Sequence, residues 1–431
     1  MEVINIFLQI LIFFILSFLP SYYLVSSKKN FREINIIKFL GVNFLFLLNI
    51  ILLFSFFNFN KEILFIILLV ISIISLIFFL LKSKTTITKA YILLTFLFFL
   101  TLFISIDIAN NFEFSWDTKK YYLPRAFVFF QSFFVDDLLK HTERPFYSTY
   151  IWSFFWKNSL IKYEYFGRMV YGYIYILSIF YLLNIKNLNL LTKIVLCFVV
   201  ILLTYKSDFF DGRPDILMFS FFLFLSRELF KIFHESKITF WDLIILSLIL
   251  NLILWTKSEG TVYILITFFS ILFFLKENKD FKIYLGILII VMLLAKTIFY
   301  NYWGLSLNPN LSHFSYDFFD LFSIKILIVR TFQIFVWYFV YFFTNPIIIL
   351  TFFVIIYLYL FDKKKIKNFS YIYCFFILKF LAIYSASIIS VYEPSLSFHL
   401  KYTLDRVIFH SSGLLLIISI SYLEKFKKYL P

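Results

Sequence analysis

Long apolar segments alternate with short polar gaps along almost the whole chain, which is the pattern of a polytopic membrane protein. A membrane-spanning helix needs about 20 mostly apolar residues, and a window of that length finds about thirteen candidates. The predicted spans are residues 3–26, 37–57, 62–81, 89–108, 165–184, 190–205, 214–233, 238–256, 260–276, 283–300, 340–361, 368–391 and 407–424. The longer polar intervals are residues 109–164, 301–335 and 392–406. We therefore predict an all-α fold of about thirteen transmembrane helices, with interfacial helices in the outer loops.

Composition agrees with this pattern, and the membrane context explains the high net charge. Hydrophobic residues fill 62% of the 431 positions and the mean hydropathy is +0.90, so a soluble domain would expose too much apolar surface. The formal net charge is +15, but the lysines cluster in the gaps between predicted spans, where anionic lipid headgroups lie. We expect membrane lipids as partners and no nucleic acid.

The basic gaps also predict sidedness, because cytoplasmic loops carry an excess of lysine and arginine. Residues 28–38 and 82–89 are rich in both and are predicted to be cytoplasmic. Strict alternation then places the three polar intervals on the extracytoplasmic face. It also requires residues 335–361 to cross once, with the preceding aromatic stretch, which contains Lys325 and Arg330, as an interfacial helix.

The first outer motif is "SWDTKKYYLPRAF", which follows the fourth predicted span. It contains Asp117, then Tyr121 and Tyr122, then Pro124, where an interfacial helix can begin with the fixed φ of proline. An acidic residue here is a candidate proton acceptor. The alternative is an ordinary loop whose charges reach the headgroups.

Two more motifs gather charges at predicted span ends. "SDFFDGRPDILMF" places Asp211, Arg213 and Asp215 at the entrance of the seventh span, where ionisable residues are costly unless they are paired or used. "LWTKSEGTVY" places Lys257 and Glu259 in a gap so tight that a glycine is expected to make the turn. Mutual neutralisation in the first motif, and simple helix-end charges in the second, are the alternatives.

The fourth motif, "FHLKYTLDRVIFH", contains His399, Lys401, Asp405 and Arg406 before the last predicted span. The planar guanidinium of an arginine suits a phosphate, and a nearby lysine adds a point charge. Asp405 is an alternative partner for Arg406. His410, deeper in the span, is expected to be a packing residue.

Several kinds of site have no support in the sequence. The five histidines lack metal-ligand spacing, and the two cysteines each lie in an apolar run. No glycine-rich phosphate loop or Gly-x-Ser-x-Gly elbow occurs. We expect no protein-built metal site and no cofactor, with a role for a divalent ion left open.

These four motifs, in this order and on one predicted face, resemble the GT-C superfamily of integral membrane glycosyltransferases. The most similar groups are the bacterial enzymes related to protein O-mannosyltransferase and lipid A aminoarabinose transferase. The resemblance covers residues 89–431 as the catalytic core, so residues 1–88 are expected to be additional N-terminal transmembrane helices. It implies a polyprenyl-phosphate-linked sugar as donor, a lipid, glycan or protein as acceptor, and an active site on the extracytoplasmic face of the cell membrane.

The resemblance also implies roles for the motif residues. Asp117 is expected to be the catalytic base, and Arg406 and Lys401 to lie near the donor phosphate. Arg213 and Lys257 are expected at the same phosphate. The residues expected to contact substrate are Tyr121, Tyr122, Asp211, Asp215, Glu259 and His399. A base on one side of the sugar and a phosphate on the other would give inversion.

Two other functions fit the same features. A polysaccharide polymerase or ligase would share the lipid-linked donor and the outer face, but its large loops are typically rich in arginine. A lipid-linked sugar transporter or flippase would not be an enzyme, and it should show charges or broken helices near the middle of the membrane. The ionisable residues of the motifs gather at one interface, which favours chemistry over transport.

Overall fold

The computed structural model describes residues 2–19, 36–57, 59–82, 87–111, 113–131, 146–185, 188–234, 238–275, 278–304, 324–361, 366–389 and 396–426. Every regular element in these ranges is helical, which confirms the all-α class. The α-helices are α1 Glu2–Leu16, α2 Ile36–Ser55, α3 Lys61–Lys82, α4 Ile87–Asn110, α5 Leu123–Gln131, α6 Tyr147–Lys157, α7 Glu164–Leu182, α8 Leu190–Thr204, α9 Asp215–His234, α10 Phe240–Thr256, α11 Gly260–Phe274, α12 Lys279–Tyr302, α13 Ile324–Thr344, α14 Pro346–Phe361, α15 Ser370–Ile389 and α16 Leu396–Phe426.

Seven of the described helices are long and apolar enough to cross a membrane, and they make this chain a membrane protein. They are α2, α3, α4, α12, α13, α15 and α16. Five others, α1, α8, α10, α11 and α14, are apolar but only 10–17 residues long. The described helices therefore establish seven candidate spans, a coarser result than the predicted thirteen.

The helices α7 and α9 lie at the centre of the fold. Nearly every residue of α7 is buried, and α9 packs along α16, where the rings of Phe219 and Phe409 lie 4.5 Å apart. Polar contacts join the N-terminal helices to this centre: Ser17 follows α1 and lies 2.6 Å from the Tyr173 hydroxyl of α7. The helices of residues 1–88 thus pack directly against the rest of the chain.

The helices α13 and α14 form one kinked unit. Asn345 separates them and caps α14, since its side-chain oxygen accepts from Ile347 N at 3.0 Å, while Pro346 takes the first helical position. Trp337 of α13 bonds Ser397 at the start of α16, and Tyr357 of α14 packs on Tyr422 near its end. Both helices therefore run beside α16 in one direction.

Three of the predicted boundaries were wrong. α1 ends at Leu16, ten residues before the predicted end of the first span at 26. α13 begins at Ile324, so the interval 301–335 ends in a helix that is itself a candidate span; residues 305–323 lie outside the described ranges. α16 begins at Leu396, eleven residues before the predicted start of the last span at 407. Its first turns have polar residues on one side, which lowers the hydropathy, but every fourth residue is buried. These buried residues are Leu396, Leu400, Leu404 and Ile408.

The interval 109–164 also differs from the expected surface loop. The helix α6 is buried over residues 147–156, and Trp152 donates from Nε1 to Glu164 O at 3.0 Å. Aromatic residues that the sequence assigned to an interfacial helix therefore belong to the core. Residues 132–145, which include the charged part of this interval, lie outside the described ranges.

Strict alternation of the predicted spans assigns several helix ends to the extracytoplasmic face. These ends meet at one end of the bundle. Glu2 of α1 accepts from the Tyr165 hydroxyl at the start of α7 at 2.5 Å. Phe56, after α2, packs against Trp255 of α10 and Phe299 of α12, with ring centroids 4.9 and 4.3 Å away. The polar motifs of the sequence lie at this end, which we call the site end.

Candidate functional site

Asp117 lies in the first turn of a helical stretch that leads into α5. A π-helical turn, Thr118–Tyr122, separates it from α5, and Leu123 N donates to Thr118 O, five residues back. Pro124 has no N–H to donate to the preceding turn, which explains why the helix is wide here. The N-terminal position suits a carboxylate, because the helix dipole is positive there.

The buried carboxylate of Asp215 joins three helices at the site end. Its Oδ1 accepts from Lys257 Nζ at 2.8 Å and lies 2.6 Å from His410 Nε2. Its Oδ2 accepts from Arg406 Nε at 2.9 Å. The Asp215 side chain is 0% exposed, so three neighbouring donors replace the water that this charge would otherwise bind.

Arg406 links this buried carboxylate to the surface. Its Nη1 donates to Asp117 Oδ2 at 2.7 Å, while its Nε holds Asp215. The Asp117 side chain is 18% exposed. Asp117 is therefore the carboxylate of this group that a substrate can reach. We call Asp117, Asp215, Lys257, Arg406 and His410 the charged cluster.

A second ion pair, between Asp211 and Arg213, supports the cluster from the segment before α9. Asp211 is 1% exposed, and its Oδ1 accepts from Arg213 Nε at 3.0 Å. Its Oδ2 accepts from Ser115 N at 3.1 Å, two residues before Asp117. The buried Asp211 thus fixes the backbone that carries Asp117. Arg213 Nε also lies 3.9 Å from Asp215 Oδ2.

The tight turn between α10 and α11 brings Lys257 and Glu259 to the cluster. Gly260 begins α11, and a Cβ there would lie 2.1 Å from Ile253 O, so close approach of two backbones requires the glycine. Burial alone would raise the pKa of Glu259, but the Lys257 ammonium and His410 lower it to about 2. Glu259 is therefore a second anion beside Lys257 at neutral pH.

The remaining predicted residues lie around the cluster. Tyr122 is buried and within electrostatic range of Arg406. Tyr121 is half-buried, with its ring 5.7 Å from Trp116. Lys401 and His399 lie on α16, five and seven residues before Arg406, which is a rise of about 8 and 10 Å. Lys401 is exposed, and its carbonyl accepts from the Tyr341 hydroxyl at 2.6 Å.

Sequence reasoning missed three cluster neighbours. His410, expected to be a packing residue, is bonded to Asp215. Lys296 of α12 donates to Leu254 O at 3.0 Å, just before Lys257, and Lys379 of α15 donates to Val407 O at 2.8 Å, next to Arg406. Both lysines interrupt apolar helices, and this signal could have identified them, because a lysine within a span is costly.

The arrangement suits proton transfer next to an anion. A partly exposed carboxylate can accept a proton, and the equally accessible arginine beside it can stabilise negative charge that develops nearby. Among the residues that the structure describes, no group of three or more His, Cys, Asp or Glu is placed to hold a metal ion.

The chain matches no family model, no curated protein and no solved structure. Its function is therefore inferred from the geometry of the charged cluster and from the sequence motifs that build it.

Proposed function

We propose that this chain is an integral membrane glycosyltransferase of the GT-C type. It transfers a sugar from a polyprenyl-phosphate-linked donor to a hydroxyl of a lipid, glycan or protein acceptor. The reaction takes place on the extracytoplasmic face of the cell (inner) membrane and inverts the anomeric carbon.

The observation that carries this proposal is the contact between Asp117 and Arg406. The family resemblance implies that one is a base and the other a phosphate ligand, and their side chains lie 2.7 Å apart at the site end. An acceptor hydroxyl and a leaving phosphate must lie on opposite sides of one sugar, a few ångströms apart. Donor binding would move the two side chains apart by several ångströms, so that the acceptor hydroxyl, the anomeric carbon and the phosphate fit in line between them.

Exposed cations surround this pair and favour an anionic donor. Lys119, Lys120 and Lys401 are exposed, and Lys206 lies 3.8 Å from Asp405, the neighbour of Arg406. Basic groups beside a binding site raise the local concentration of an anionic substrate. These lysines suit capture of a lipid phosphate at the membrane surface.

The proposed step is a displacement at the anomeric carbon of the donor sugar. The acceptor oxygen forms a bond to the anomeric carbon while the bond from that carbon to the phosphate oxygen breaks. Asp117 takes the hydroxyl proton, and the polyprenyl phosphate leaves with the bonding electrons. Arg406 stabilises the negative charge that develops on this phosphate.

The contact with Arg406 also gives an order to the events. In the free protein the Arg406 guanidinium is occupied by Asp117 and Asp215. A donor phosphate competes with the more exposed of these two carboxylates, which is Asp117. Binding of the donor would therefore release the base, so the base is available only when a donor is present.

A flippase or transporter of lipid-linked sugars is the second candidate, and one buried charge favours it. Lys379 is 1% exposed in the middle of α15. An ionisable residue within a span is typical of a transport path.

One experiment distinguishes sugar transfer to an acceptor from transport of the intact donor. Purified protein in proteoliposomes is incubated with a panel of radiolabelled polyprenyl-phosphate sugars and with lipid, glycan and peptide acceptors. We expect the label to leave the polyprenyl lipid and appear on an acceptor. Movement of intact donor between leaflets without transfer would replace this proposal with the flippase.

A further inference from the structure

The buried Arg168 of α7 has no part in the proposed chemistry, yet it contacts both segments that build the base. One is the base segment, residues 113–118, which carries Asp117. The other is the acidic segment, residues 207–213, which carries Asp211. Arg168 is 1% exposed and reaches them from the core.

Arg168 uses every part of its guanidinium. Nε and Nη2 form a two-point pair with the Glu164 carboxylate, at 2.9 and 2.7 Å. Nη1 donates to Phe210 O of the acidic segment at 3.1 Å. Nη2 lies 3.5 Å from Asn111 O, and the flat face of the group lies 4.8 Å from the centre of the Phe114 ring.

Asp211 ties the same two segments together a few residues further along, through its contacts with Ser115 and Arg213. Arg168 and Asp211 are thus two buried cross-links between one pair of segments. A single cross-link would still allow the two segments to slide and twist relative to each other, whereas two cross-links prevent this. The position of Asp117 relative to Arg406 depends on this junction, because the acidic segment leads directly into Asp215 of α9.

We propose that Arg168 is a positioning residue that holds the base segment in register with the acidic segment, and thereby holds Asp117 at the distance and angle that catalysis needs. Its catalytic consequence rests on the proposed transferase function; the cross-link itself does not. A lysine cannot replace the arginine, since one ammonium cannot pair with Glu164, reach two carbonyls and present a flat face to Phe114.

The test compares Arg168→Lys with the wild-type full-length protein in nanodiscs. We expect kcat for sugar transfer to fall by about tenfold or more, because a small misplacement of a catalytic group is costly, while the donor KM stays within about twofold. Amide hydrogen exchange should become faster in residues 113–118 and stay unchanged around Arg406. A loss confined to KM, or unaltered exchange in the base segment, would overturn the inference.

Two further variants exclude a general loss of structure. Arg227→Lys is the matched control, because Arg227 donates from Nε to Asn184 O at 3.2 Å far from the cluster, and it should change neither readout. Phe114→Leu removes only the stacked ring and should reproduce the local exchange if Arg168→Lys does not fold. Faster exchange throughout the protein in both Arg168→Lys and Phe114→Leu would assign Arg168 a purely structural role. Absence of transfer in the wild type would contradict the transferase, while the exchange result would still decide the cross-link.

Discussion

Asp117 Oδ2 lies 2.7 Å from Arg406 Nη1, although 289 residues separate them in the chain. The first residue follows α4, and the second lies in α16. Their contact brings together the first and last outer motifs of the sequence. It also means that the two side chains depend on each other, because Arg406 must release the Asp117 carboxylate before it can bind a phosphate in its place.

Replacement of Arg406 by lysine should weaken donor binding. The lysine keeps the charge but cannot contact two carboxylates, or two phosphate oxygens, with a planar group. We expect a loss of about 1–3 kcal/mol in donor binding, measured by titration of a polyprenyl-phosphate sugar into the detergent-solubilised protein. Donor affinity equal to wild type in a folded Arg406→Ala protein would leave Arg406 as an internal ion pair only.

Replacement of Asp215 by asparagine should destabilise the fold. Lys257 and Arg406 would lose the buried anion that they share, and such a loss costs about 3–5 kcal/mol. Equilibrium unfolding in mild detergent measures it. Asp405→Asn is the control: its pair with Lys206 is 41% and 54% exposed, so the change should stay within about 1 kcal/mol. Equal effects of the two variants would contradict the central role of Asp215.

Gly212 should not tolerate a side chain. Its φ is +100°, and a Cβ would lie 2.2 Å from the Trp152 ring, so alanine adds backbone strain of about 1–3 kcal/mol and an overlap. The thermal midpoint should fall and transfer activity with it. In Gly286→Ala of α12 the new Cβ meets only the Phe268 ring at 3.1 Å, so its midpoint should change little. A Gly212→Ala protein as stable as wild type would show that this turn can rearrange.

The two ends of the bundle should label from opposite sides of the membrane. Lys119 is exposed at the site end, so Lys119→Cys probes the outer face, whereas its neighbour Thr118 is buried. Lys279→Cys, exposed at the start of α12, reports the opposite end. An impermeant thiol reagent added to intact cells should modify the first and not the second. The reverse pattern would place the charged cluster on the cytoplasmic side.

The length of the apolar segments predicted most helix positions, because the membrane demands long apolar helices whatever their partners. It also singled out Asp117, Asp211, Asp215, Lys257 and Arg406, since charges at span ends stand out against so apolar a chain. Composition placed the start of α16 too late, because the polar side of its first turns hid a buried row of leucines.

The pairing of the charges was beyond the sequence. Asp405 was an equal candidate for Arg406, and only the packing of α9 against α16 selects Asp215 instead. Arg168 was not predicted as a site residue, because one arginine inside "YEYFGRMVYGY" does not indicate the two distant segments that it contacts. Contacts of this kind depend on three-dimensional packing that no local pattern encodes.

The role of Asp117 as the base is tested most directly by Asp117→Asn in proteoliposomes. Asparagine keeps the size of the side chain but cannot accept the proton, so kcat for transfer from a polyprenyl-phosphate sugar should fall by about a hundredfold or more. Donor affinity should stay the same or increase, because Arg406 no longer shares its charge with Asp117. Turnover at the wild-type rate in Asp117→Asn would contradict the account, and a large loss in a folded Asp211→Asn or Asp215→Asn protein would then move the base to the entrance of α9.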